Sequence, residues 1–404
     1  MTAFTWLDYS DTERRQMMDI ISLFGEKTTR DELGIGAIRD ALANIFFPGT
    51  STIQTRARYF FFVPWIYLTL ENRYTPSRTI ASKARKAEVA LIHALKRAGV
   101  GEGEGLIGYR SEGNLQRLPS NIYWQGLSRY GLRQFPGSQY AYHKSLDNFY
   151  RHNNNIRAAN SQNEWLEPSI HNWHPAIFDF MPDNFPNEAT FDLTAAEGSF
   201  LSERIISTTQ GSLLAWLITH SKPWEQVDFP WQHPQFGTMP SILKGQLTQA
   251  RNFAEALEAA PLIYNLMLAE KAESSELIDF YREELLNWAQ MMSLRAEDFR
   301  TWDLSGEFWP LVYQGNPSLK QSTRNFITNW LRFALSDQQN LAENSHARNL
   351  ILQRERQLKR SLARLDNPRA LELWTGAAGV GRLNYRWFIT QSLLTDILEA
   401  VHHA

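Results

Sequence analysis

Residues 36–62 read GAIRDALANIFFPGTSTIQTRARYFFF. The apolar positions Ile38, Leu42, Ile45 and Phe46 recur at helical spacing, and Pro48-Gly49 breaks the run. Thr50-Ser51-Thr52 then supplies hydroxyls suited to the free amides of a new helix start. The pattern predicts two helices around a short turn, the second running from Thr52 to about Asn72 with a kink near Pro64. At about 100° per residue, Ile53, Ala57, Phe60 and Phe61 share one core face. Thr55 and Arg58 fall opposite, Gln54 and Arg56 lie on the flanks, and Phe62 also points outward. A helix-turn-helix has this layout, with polar and Arg side chains near the start of its second helix facing base edges. Thr52 and its neighbours would also suit a phosphate. The rival reading is a plain helical hairpin whose Thr and Ser residues only cap.

Outward from this stretch the punctuation stays helical. Ser10-Asp11-Thr12-Glu13 is a capping box before Met17, Ile20, Ile21 and Phe24, and Gly25 ends that run. Ser77 or Thr79 caps a further helix to about Ala98, and Gly99 to Gly113 reads as a loop. A short amphipathic element follows Pro119, and 153–186 reads as a long irregular connection. Helices are expected again from Leu193 to Ile206, Gln210 to His220, Leu243 to Glu270 (kinked at Pro261), Ser274 to Met292 and Ser318 to Leu335. Two more run from Glu343 to Leu365 and Tyr385 to His402. The expected fold is mainly α: an N-terminal helical domain over 1–157, an irregular connection over 158–189, and a second helical domain over 190–404.

Composition narrows the classes. The chain has 404 residues, 43% hydrophobic, with 14 Trp and no Cys. Enough bulky apolar side chains are present to rule out disorder, and disulfides, thiol nucleophiles and Cys-metal sites are excluded. No apolar run is long enough to span a membrane, and the opening Met1 to Trp6 lacks a signal-peptide pattern, so cytoplasm is the expected location. The net charge of −2 hides a segregation. Residues 51–157 hold 16 Lys/Arg against 6 Asp/Glu, while 158–345 hold 11 against 24. Such asymmetry points to nucleic acid or to basic and acidic parts facing each other within one molecule. Arg78, Lys83, Arg85, Lys86, Lys96 and Arg97 would give a basic helix face for phosphates, with only Glu88 against them. In the helix from Glu343, Ala347, Ile351, Leu358, Leu362 and Leu365 form a stripe with Arg356, Lys359 and Arg360 opposite; Arg382 and Arg386 are further basic candidates.

Catalytic patterns are weak, and no catalytic residue, metal site or cofactor is expected. His171 and His174 lie three apart between Trp and Pro residues, without a nearby carboxylate until Asp179. Gly103, Gly105 and Gly108 fit G-x-G-x-x-G but follow a helix, and Glu102 and Glu104 would repel phosphate. The run Gly376 to Gly381 lacks the Lys-Ser/Thr of a P-loop.

Several blocks resemble an uncharacterised bacterial family, a domain of unknown function. They are Asp31-Glu32-Leu33-Gly34-Ile35-Gly36, the run Phe47 to Tyr67, Tyr123-Trp124-Gln125-Gly126-Leu127, Leu193-Thr194 with Glu197, and Leu383-Asn384-Tyr385-Arg386-Trp387. The resemblance implies proteins encoded beside helicases and nucleases in antiphage defence islands, and no established catalytic residue. The expectation is an accessory, non-catalytic defence component that contacts DNA or another nucleic acid through basic helices, and a protein partner through its acidic region. The alternatives are an assembly scaffold that never touches nucleic acid and an enzyme with an unrecognised site.

Overall fold

The computed structural model describes residues 31–160, 170–224, 226–336 and 338–402. The capping box at Ser10 to Glu13 and the helix expected after it lie outside these. Among the described residues there are sixteen α-helices and no strand; the single β-type pairing is an isolated bridge between Arg133 and Trp173. In chain order they begin α1 (Gly36–Phe46), α2 (Tyr59–Asn72), α3 (Ile80–Arg97), α4 (Pro119–Arg129), α5 (Gln139–Asn160), α6 (Ala195–Thr208) and α7 (Leu213–His220). Then come α8 (Ser241–Leu257), α9 (Ala259–Lys271), α10 (Ser275–Leu294), α11 (Ala296–Arg300), α12 (Trp309–Gly315) and α13 (Gln321–Ser336). The last three are α14 (Ser345–Lys359), α15 (Pro368–Leu371) and α16 (Trp387–His402). No helix among the described residues is long and apolar enough to cross a membrane.

The chain forms two compact units, each made from two stretches: 1–42 with 240–385, and 43–239 with 386–404. The composition pointed instead to successive domains joined through 158–189. Irregular composition marks where a chain leaves regular structure, not which stretches pack together, and α5 extends helix to Asn160 inside the expected connection.

In the 43–239/386–404 unit the core is aromatic. α2 is buried nearly all round, from Tyr59 through Tyr67, as expected of a helix apolar on every face. Phe62 is covered by Phe185, stacked at 5.9 Å, and by Phe191 at 6.2 Å. α6 opens with a reciprocal capping box: Glu197 N donates to Thr194 Oγ1 at 3.2 Å, and Thr194 N donates to Glu197 Oε2 at 2.7 Å. α16 packs on α6, where a Cβ at Gly198 would meet Ala400 at 2.8 Å.

In the other unit α8 and α9 are the buried centre. The break between them falls at Glu258, and Pro261 lies in the first turn of α9, where its missing N–H costs no helical bond. Trp288 and Trp330 cross this centre, donating to Glu255 O at 2.7 Å and Ala256 O at 3.0 Å.

Candidate nucleic-acid interface

The second helix of the expected helix-turn-helix starts at Tyr59, seven residues later than Thr52. Residues 51–58 are loop and turn instead. Ala57, Phe60 and Phe61 are buried as expected, whereas Ile53 is 37% exposed. The cause is a set of side-chain bonds that hold the backbone out of helix. Thr50 Oγ1 donates to Phe47 O at 2.7 Å, Gln54 Nε2 donates to Gly49 O at 3.1 Å, and Ser51 N donates to Gln54 Oε1 at 3.1 Å. Tyr123 Oη donates to Arg56 O at 2.9 Å and accepts from Thr55 N at 2.8 Å and Arg56 N at 3.1 Å. Such local competition is why Ser, Thr and their amide neighbours favour turns over helix interiors.

The outward placement of Arg58 is likewise corrected. Arg58 is 6% exposed. It reaches Glu197 Oε1 at 3.0 Å, and Thr190 O and Oγ1 at 3.1 and 2.9 Å. Arg56 lies against Asp396, with Nε 3.0 Å from both carboxylate oxygens, while Ala57 N donates to the same carboxylate at 2.7 Å. Burial raises the Asp396 carboxyl above its ordinary range, opposed by Arg56. Thr55 Oγ1 donates to Gly105 O at 2.6 Å, and Gln54 is 1% exposed. Of the proposed recognition residues Thr52 alone is fully exposed; Thr55 and Arg56 are half-buried, and Gln54 and Arg58 are buried.

Three blocks that were far apart in sequence therefore meet here. A Cβ at Gly126 would lie 2.5 Å from Gly49 O, so only glycine lets α4 approach the 48–54 loop. Arg386 Nη1 donates to Thr50 O at 2.9 Å and Asn44 Oδ1 at 2.8 Å, and Trp387 packs on Phe47 at 5.6 Å. The glycine-rich run serves the same contact. Gly105 has φ +89, and a side chain there would strike Arg56 at 2.7 Å.

The α3 residues behave differently. Arg78, Lys83, Lys86 and Arg97 are exposed, and His93 joins them on the same side of α3. Arg85 and Lys96 lie on a flank: Arg85 donates to Gly113 O at 2.7 Å and Leu115 O at 2.9 Å, and Lys96 pairs with Glu112. Arg97 reaches Asn187 Oδ1 at 3.5 Å. Glu88, the one carboxylate of α3, turns inward and is 1% exposed. It accepts from Ser120 N at 2.8 Å and Ser120 Oγ at 2.7 Å, and burial pushes its carboxyl up to about 7.

Most basic candidates of the other unit are paired with acids of that unit. α14 stops at Lys359, because Arg360 adopts φ +52 and a 3₁₀ turn follows. Leu358 and Leu362 are consequently exposed rather than on a core stripe. Lys359 pairs with Glu32 and, at 3.1 Å, with Glu355; Arg356 pairs with Asp366 at 2.7 Å; Arg382 pairs with Glu258 at 2.7 Å. Arg360 is exposed. A second carboxylate, Glu255, is 2% exposed between Arg251 at 2.9 Å, Arg295 and Arg382.

His174 caps a 3₁₀ turn, accepting from Ala176 N at 3.3 Å through Nδ1. No group of three or more metal-ligating side chains occurs among the described residues. Sequence reasoning missed Glu71. It is isolated in an apolar helix, and only the fold brings Tyr142, Asn172 and Trp173 to one of its oxygens.

Among the described residues the architecture is mainly helical, its motif blocks knit the interior, and one face of α3 in the 43–239/386–404 unit carries exposed cations with no exposed acid of its own helix. The chain belongs to a family of unknown function, DUF6361, whose model matches residues 1–401. No curated protein and no solved structure matches it.

Proposed function

We propose that the protein is a non-catalytic component that contacts a nucleic acid through the exposed face of α3. The observation that carries this is a run of Arg78, Lys83, Lys86, His93 and Arg97 at the surface, with the helix's sole carboxylate withdrawn into the core. From Lys83 to Arg97 the helix rises about 21 Å, enough to follow several phosphates of one strand. The motif resemblance to proteins encoded beside helicases and nucleases supports an accessory place in an antiviral system, with such an enzyme as partner. Fluorescence anisotropy of labelled DNA and RNA against salt tests the contact. Four phosphate-binding cations correspond to a log–log salt slope of about −3 to −4. The double variant Lys83→Ala/Lys86→Ala should lower that slope by about two. Binding that ignores salt, or a double variant with unchanged affinity, refutes the α3 contact.

A further inference from the structure

The same unit holds a pocket of about 490 Å³ between the end of α2, the second half of α5 and residues 170–178. That volume is in the range of small-molecule sites. Its floor is Glu71. Tyr142 Oη, Asn172 Nδ2 (3.1 Å) and Trp173 Nε1 (3.0 Å) all donate to Glu71 Oε1. Among the described residues none bonds Oε2, which is left to accept from whatever enters. Among the described residues no Lys or Arg pairs with this carboxylate, and burial raises its proton affinity. An N–H donor supplied by a ligand would satisfy Oε2 and favour the ionised form.

The walls narrow the ligand. Tyr74 and Phe178 are 48% and 45% exposed at the rim, and Tyr74 lies 5.3 Å from Tyr150. Flat aromatic faces at an open mouth suit a planar ring. Arg157 is exposed at the rim and donates to Tyr74 Oη at 3.1 Å, and His171 is exposed beside it. The Arg157 guanidinium at the mouth disfavours a cationic ligand such as an alkylammonium and favours one carrying an anion outside its ring.

We infer that this pocket binds a single unstacked nucleobase bearing an exocyclic amino group, which donates to Glu71 Oε2 while Tyr74 stacks on the ring and Arg157 meets the phosphate. The inference shares a ligand class with the α3 contact but none of its residues, so the two fail separately. Calorimetric titration of the full chain with CMP, AMP, GMP and UMP tests it. One saturable site is expected, with the amino-bearing nucleotides at least tenfold tighter than UMP. Glu71→Gln reverses the hydrogen-bonding edge and should remove that preference. Tyr74→Ala should weaken binding about tenfold, and Arg157→Ala should weaken nucleotides but not nucleosides. Lys83→Ala/Lys86→Ala should leave mononucleotide binding unchanged. Because Glu71 also anchors Tyr142, Asn172 and Trp173, the two rim variants decide the matter if Glu71→Gln melts early. Absence of saturation at millimolar nucleotide, or unchanged affinity in both rim variants, overturns the inference.

Discussion

The loop 51–58 and helix α3 both belong to the strongly basic stretch of the sequence, yet they use their cations in opposite ways. In the loop, Arg56 and Arg58 turn inward onto Asp396 and Glu197. On α3 Lys83, Lys86 and Arg97 stay in water and the acid turns inward. Segment charge alone does not separate these outcomes, because the acids that neutralise the loop come from stretches with a different charge balance. For Arg56 and Arg58 the pairing of basic and acidic parts within one molecule is what the fold adopts. A charge run reports on a surface only once the positions of the opposite charges are known.

Four perturbations test that contrast. Arg58→Met should have the largest effect, costing roughly 3–5 kcal/mol, because it leaves Glu197 buried without its cation. Chemical denaturation reads the loss, and DNA affinity per folded molecule should not change. If Arg58→Met instead keeps its stability and loses DNA binding, the loop belongs with α3 after all.

Glu88 comes next. Burial pushes its carboxyl from 4.5 up to about 7, so the folded state holds a proton that the unfolded chain has already released between those values. That stability is fully present below about pH 4.5 and is lost as pH rises through 7, on the order of 3 kcal/mol in all. Glu88→Gln should flatten this part of the stability–pH curve. A wild-type curve that rises over the same interval would show that Glu88 does not behave as an isolated buried acid.

Tyr123→Phe removes the hydroxyl that serves Thr55 and Arg56. The expected cost is about 1–3 kcal/mol, since the loop amides lose a buried acceptor. A neutral result would show that water replaces it. Smallest of all is Lys83→Ala/Lys86→Ala, which should shift stability by less than about 0.5 kcal/mol, because both side chains are exposed. A thermal melt that moves further would make α3 a packing surface rather than a free one.

The helical class was legible because period and caps are local. Thr194 with Glu197, and Gly99 after α3, read correctly. The loop did not, because what keeps Thr52 to Arg58 out of helix is Tyr123, Gly105 and Asp396, all remote in sequence. The end of α14 failed similarly: the apolar spacing runs on past Lys359, but the pull of Glu32 on Lys359 and Arg364 does not appear in any window around them. The exposed α3 cations were readable from an amphipathic helix with a single acid. Glu71 was not, since a lone carboxylate between apolar residues carries no periodic signal.

The pairing of Arg56 with Asp396 spans 340 residues of chain. At about 5–20 residues per second of translation, roughly 20–70 s separate the emergence of the two partners. During that interval Arg56 lacks the helix that closes over it, while Arg58 already has Glu197, and residues 240–385, the longer part of another unit, are synthesised in between. The 43–239/386–404 unit therefore cannot finish folding vectorially. Its packing closes only once α16 has been synthesised and Asp396 can reach Arg56 and the Ala57 amide.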